Sequence, residues 1–284
     1  MKNLLNIFLL IILSSLFSCE NEKINKSTKS GLNLFGSVKT VSQNIVNYYH
    51  YSPSPSIENY STFIRFNSLG MKIEETIYDI HKKKETTFFY RYDERNNLIE
   101  WIEYETDGSV KKTKRINYNS NNKIENSKLY DSKDNPYIKS EYNYSIFNDN
   151  LEIIQRYMDG TIFNKILKKY DENDNVIELT KWDKNSDVVG IISNEYDIND
   201  NIITKKIFTK KDLLEKIVRF EYNSNNDRIK KSYYNPNGEI TINIQYEYTY
   251  LDSYKTWEEN NWETKVVRTN GKIHNKYFRK LIFN

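Results

Sequence analysis

The sequence predicts an all-β domain: a long antiparallel β-meander of about 16 strands, made of seven 26-residue double-hairpin repeats and folded as one curved or spiralling sheet. Three observations predict it. Aromatic residues recur at Phe66, Tyr92, Tyr118, Tyr144, Tyr170, Tyr196, Tyr222 and Tyr248, every step being 26 residues. A second series, Tyr78, Tyr104, Tyr130, Tyr157, Trp182, Phe208 and Tyr234, lies between them with steps of 25 to 27. Each aromatic is followed by a residue that tolerates positive φ. Four positions after the first series these are Gly70, Asn96, Asn122, Asn148, Asp174, Asp200 and Asn226. After the second they are Gly108, Asp134, Ser186, Asp212 and Gly238, with Gly160 three positions after Tyr157. Between these turns the residues alternate in polarity, as half-buried antiparallel strands do.

In chain order, the first element is a signal peptide, residues 1–18. Met1-Lys2-Asn3 precedes an apolar run from Leu4 to Leu13, too short for a comfortable membrane-spanning helix and correct for an export signal. The run exits through Leu16-Phe17-Ser18 to Cys19, a pattern that resembles the bacterial lipobox. Cys19 is the only cysteine, and an exported chain with one free thiol is unusual. Lipidation of Cys19 accounts for it, and several acyl chains together give a stable membrane anchor. Residues 19–33 are the lipidated N-terminus and a flexible tether, rich in Asn, Lys, Ser and Glu and without aromatics. Glu20 and Glu22 are similar to an acidic surface-export signal of Bacteroidetes lipoproteins. A plain solvated linker accounts for them equally well.

The third element, residues 34–284, is the repeat domain. Tyr numbers 24 and Ala is absent, so strand formers outweigh helix formers. Ile240, Ile242, Ile244, Tyr246 and Tyr248 share one face of a strand, while Thr241, Asn243, Gln245 and Glu247 share the other. Val110, Ile116 and Tyr118 likewise oppose Lys111, Thr113 and Arg115, although Lys112 and Lys114 blur that strand. Connections this short leave sequence neighbours as spatial neighbours. About 16 strands at ~4.8 Å each make a sheet on the order of 75 Å wide. Such a sheet must curl to hide its Ile and Tyr face. Its outer face carries mixed Lys, Glu, Thr and Asn.

The unit Tyr-Asp-x-x-(Gly/Asn/Asp)-Asn-x-Ile, as in Tyr92–Ile99 and Tyr170–Ile177, resembles the YD repeat of the Rhs family. It is nearest to the small YD-repeat lipoproteins of Bacteroidetes. The resemblance covers residues 34–284. Phe35–Val41 is similar to the leading strand of those proteins, and Asn261–Lys265 with Arg279–Phe283 to their closing segment, where a final strand caps the sheet. In large Rhs proteins the repeats coil into a shell. This chain is expected to be too short to close one, and it replaces most turn glycines with Asn or Asp. The resemblance implies a fold class. The expected location is the cell envelope, as an outer-membrane lipoprotein, with exposure at the surface and the opposite face of that membrane both left open. The resemblance implies no ligand.

No catalytic, metal or cofactor constellation emerges. His50, His81 and His274 are far apart and lack ligand spacing. Asp171–Asn175 and Asp197–Asn201 superficially resemble calcium loops but lack the turn glycine and distal Glu, and Asx-rich turns account for them. With 42 basic and 39 acidic residues, the net charge of +3 gives no reason to expect a nucleic-acid partner. Tyr48, Tyr49 and Tyr51, before Ser52-Pro53-Ser54-Pro55, and Trp257 with Trp262 are the candidate contact residues. The expected partners are the membrane, through the lipid on Cys19, and a protein or glycan at the cell surface. The expected function is therefore a non-enzymatic, lipid-anchored β-repeat interaction scaffold, with a glycan-binding surface lipoprotein as the alternative.

Overall fold

The computed structural model describes residues 38–47, 59–79, 83–144, 150–209, 212–250 and 262–283. Among these residues the regular structure is entirely strand, 18 strands in one antiparallel sheet. The leading strands are β1 (Val38–Asn47) and β2 (Asn59–Phe66). Seven pairs follow: β3 (Lys72–Tyr78) with β4 (Lys84–Tyr92), β5 (Leu98–Tyr104) with β6 (Val110–Tyr118), β7 (Ile124–Tyr130) with β8 (Pro136–Tyr144), β9 (Leu151–Tyr157) with β10 (Ile162–Tyr170), β11 (Val176–Trp182) with β12 (Val188–Tyr196), β13 (Ile202–Phe208) with β14 (Leu214–Tyr222), and β15 (Arg228–Tyr234) with β16 (Ile240–Tyr250). The closing strands are β17 (Trp262–Thr269) and β18 (Lys272–Phe283).

The sheet closes. Each strand pairs with its sequence neighbours, and β18 pairs with β1 from Val38↔Phe283 to Asn47↔Asn275. The expectation of an open, curved or spiralling sheet of about 16 strands is corrected to a closed barrel of 18. The expectation that the chain is too short to close a shell falls with it. Closure removes the two free edges that an open sheet would expose. Pairing of β1 with β18 is non-local, so the repeat period carries no trace of it. With strands tilted by ~40°, 18 strands close at a backbone radius of about 18 Å, in the range where barrels keep a central channel.

The predicted turns are where the periodicity puts them. All the described left-handed positions have positive φ, from Asp212 at 57° to Gly160 at 88°. Asn148 lies outside the described residues. The fully described turns of the repeats share one pair of backbone bonds: Asn96 N–H donates to Asp93 O at 3.0 Å and Asp93 N–H to Asn97 O at 2.9 Å, for example, whereas β17 and β18 join through Asn270 and Gly271 alone. The repeat turn is a three-residue loop with a left-handed residue and a bulge. The residue after the aromatic caps it. Asp93 Oδ1 accepts from the N–H groups of Arg95 (2.9 Å) and Asn97 (2.8 Å). Asn67, Asn119, Asp131, Asp171, Asp183, Asp197 and Asn223 do the same in their own turns. The Asx of the Tyr-Asx motif is therefore a turn cap.

The two aromatic series serve opposite faces and opposite ends. First-series tyrosines point inward at the end where β1 begins. Their hydroxyls donate to a main-chain carbonyl 20 residues back: Tyr92 to Lys72, Tyr118 to Leu98, Tyr196 to Val176, Tyr222 to Ile202 and Tyr248 to Arg228. Second-series Tyr104, Tyr130, Trp182, Phe208 and Tyr234 stand outward at the other end, opposite the outward residues Thr87, Thr113, Lys165, Ile191 and Ile217. Neighbouring turns are also joined. Asn97 and Asn122 exchange side-chain hydrogen bonds of 2.6 and 3.2 Å, and Asn175–Asp200 and Asn201–Asn226 repeat the contact.

Candidate functional site: the inner wall of the barrel

Alternation and register assign every strand residue to a face. On the outer face, ion pairs follow one another around the barrel: Arg65–Glu74, Arg91–Glu100, Lys169–Glu178, Lys206–Glu195, Lys230–Glu221 and Arg268–Glu247, at 2.7 or 2.8 Å. On the inner face, apolar clusters form between consecutive strands. One joins Val38, Val41, Ile64 and Phe66; another joins Leu98, Ile116 and Ile124; a third joins Leu151, Ile153, Ile166, Val176 and Leu179.

The charge on the inner face is segregated. In β3–β6 it is mixed, three lysines beside two glutamates. Lys72 pairs with Glu75 at 2.7 Å, Lys112 pairs with Glu103 at 2.8 Å, and Lys114 stands opposite Trp101. From β10 to β16 the inner strand positions carry Lys168, Lys181, Lys205, Lys216, Arg228 and Lys231, and no Asp or Glu. Lys doublets make the partition visible: Lys205 faces in and Lys206 out on β13, Lys231 in and Lys230 out on β15.

The densest part lies on β13–β18. Arg228 lies over the Phe220 ring at 4.6 Å and Tyr222 at 6.0 Å; Lys231 lies over Tyr233 at 4.7 Å and Phe220 at 5.9 Å. Lys265 sits among Tyr246 (4.9 Å), Tyr277 (5.0 Å) and Tyr248 (5.7 Å). Such cation–ring contacts offset part of the loss of hydration. Burial pushes the Lys265 ammonium down to about 8, with the charges of Arg279 and Arg228 adding to the effect. Burial also lowers Lys205, helped by Lys231 and Arg228. Arg279 is pushed down to about 10 by burial, against the opposing pull of Asp227 and Tyr248. Asp227, in the turn before β15, accepts the Tyr250 hydroxyl at 2.8 Å.

Of the candidate contact residues from the sequence, Trp262 alone lies among the described residues. Tyr48, Tyr49, Tyr51 and Trp257 lie outside the described residues, as do Cys19, His50 and His81. Trp262 opens β17, paired in register with Tyr250. The strand ends flanking the two segments, Asn47 and Asn59 for the first and Tyr250 and Trp262 for the second, are at opposite ends of the barrel. No group of three or more His, Cys, Asp or Glu placed to hold a metal ion occurs among the described residues. The inner basic wall is the feature that sequence reasoning missed; Lys112 and Lys114 of β6, outside that wall, were the only inward lysines that broke the apolar pattern visibly.

No protein-family model matches the chain, and no curated protein does. Among solved structures, a porin-like protein from Bacteroides uniformis overlaps 86% of this chain and 96% of its own at 10% identity and a TM-score of 0.31. A crystal structure of TcdB2-TccC3 overlaps 84% of this chain but 17% of its own, at 11% identity and a TM-score of 0.31. A DUF1329 family protein from Desulfovibrio piger overlaps 92% of this chain and 91% of its own, at 12% identity and a TM-score of 0.26. Scores of this size transfer neither fold detail nor function to this chain.

Proposed function

We propose that the protein is a non-enzymatic interaction module of the cell envelope: a YD-type repeat lipoprotein whose barrel stands in water, held to the outer membrane by lipid on Cys19. One observation supports the barrel standing in water rather than spanning the bilayer. A membrane barrel needs an outward apolar band ~25 Å tall. Here the outward positions hold the ring of ion pairs from Arg65–Glu74 to Arg268–Glu247. Alternate repeat strands, such as β5, are also only 7 residues long, against the ~9–11 that cross a membrane. Fractionation of cells expressing Cys19→Ser tests the reading. Recovery of the variant in the soluble envelope fraction supports it; retention in the membrane pellet through a carbonate wash contradicts it.

A second reading, glycan binding, draws support from the inner face. Ammonium and guanidinium groups are concentrated there beside aromatic rings, and hydroxyl-rich ligands are held by such donors.

A further inference from the structure

The strongest feature left over is the cation cluster on the inner wall. Lys205, Arg228 and Lys231 lie on β13 and β15, with Phe220 of β14 between those strands. Lys205 and Lys231 occupy the same position in successive repeats, two strands apart, about 10 Å between backbones. Arg228 and Lys231 both lie over the Phe220 ring, at 4.6 and 5.9 Å. The inner strand positions of β13–β16 carry no carboxylate; the acid in the turn beside Arg228, Asp227, accepts the Tyr250 hydroxyl and acts on Lys265 and Arg279. Like charges gathered in this way repel one another, and an anionic ligand relieves the repulsion.

We infer that the barrel binds an acidic oligosaccharide, one bearing carboxylate or sulfate groups, against the inner wall formed by Lys205, Arg228 and Lys231. The inference rests on the glycan reading above and specifies its chemistry. The rings of the wall argue for a saccharide over a nucleic acid. Base stacking needs free aromatic faces, whereas Phe220, Tyr222 and Tyr233 each have a cation over the ring. What the wall presents is ammonium and guanidinium groups, whose N–H donors suit the oxyanions and hydroxyls of an acidic sugar.

The control is built into the strands. Lys206 and Lys230 are the chain neighbours of Lys205 and Lys231, have the same charge, and face outward into ion pairs with Glu195 and Glu221. Binding of the full mature chain in detergent is measured by calorimetry against four probes of equal length: a heparin oligosaccharide, an oligogalacturonate, a neutral malto-oligosaccharide and an oligothymidylate. The wild type is expected to bind one or both acidic saccharides and to prefer them to the neutral one, the two acidic arms separating sulfate from carboxylate. K205Q/K231Q is expected to weaken that binding on the order of tenfold or more, and K206Q/K230Q by less than about twofold. Thermal melts check folding, and K231Q alone gives a milder second variant with an expected loss of several-fold. Equal losses in the inner and outer pairs overturn the inference, as does tighter binding of the oligothymidylate. Equal binding of neutral and acidic saccharides overturns it while leaving the glycan reading standing. Binding of no saccharide overturns both, and the Cys19→Ser fractionation is independent of all of these.

Discussion

The hydroxyl of Tyr118 donates to the carbonyl oxygen of Leu98 at 3.0 Å. Leu98 opens β5, just beyond the last β5–β6 register pair, Glu100↔Arg115, so its carbonyl has no partner in that ladder. The tyrosine supplies one. The same bond recurs at Tyr92, Tyr196, Tyr222 and Tyr248. The 26-residue stride of the first aromatic series is therefore the stride of a structural clip that ties each repeat to the turn before it.

Tyr118→Phe is expected to keep the ring's packing on Leu98, Ile116 and Ile124 and to lose the clip. The loss is about 1 kcal/mol, the usual size for one hydrogen bond with a half-buried acceptor. Urea unfolding of the variant checks it; an unchanged midpoint would mean that the hydroxyl is dispensable.

At Asn96, φ is 67°, a conformation that β-branched residues strongly resist. Asn96→Val should destabilise by roughly 1 kcal/mol or more, and Asn96→Gly by much less. The two melting points separate backbone strain from the loss of a side chain. If both variants melt together, the strain argument fails.

Stability should rise from pH 8 to 10 and fall above it. Folded Lys265 gives up its proton near 8 against an ordinary 10.5. Between those values the unfolded chain binds more protons, so raising the pH favours the fold, by on the order of 2 kcal/mol. Tyr196 shifts the other way, pushed up to about 12 by burial. Above pH 10 the unfolded tyrosine ionises while the folded one does not, and the fold loses ground. Melts of wild type and Lys265→Gln across this range test the sign. The variant should show a smaller rise between 8 and 10, Lys205, also lowered by burial, keeping part of it.

The sequence made the turns and the strands legible because both are local. A left-handed Asn96 or Gly108 follows its aromatic by a fixed count, and alternation reads Ile244, Tyr246 and Tyr248 onto one face. Closure was not legible. Val41↔Leu281 joins residues 240 apart, and no local signal connects them. That the inner face carries cations was half legible. Lys112 and Lys114 interrupt the apolar face of β6 in the one-dimensional pattern. The structure places both lysines inside, where Lys112 meets Glu103 and the Trp101 ring. A net charge of +3 concealed the partition because the outer face pairs its acids and bases around the ring.

The closed ring is the premise of both the inner wall and the outward ring of ion pairs. Ser42 of β1 stands directly opposite Lys280 of β18, outward-facing on the seam. In a Cys19→Ser background, Ser42→Cys with Lys280→Cys should form an intramolecular disulfide under mild oxidation, seen as a faster-migrating monomer on non-reducing gels, because directly opposed Cβ atoms lie ~4.5–5.5 Å apart. A chain that stays reduced, or that cross-links only between molecules, would mean that the two ends of the sheet never meet.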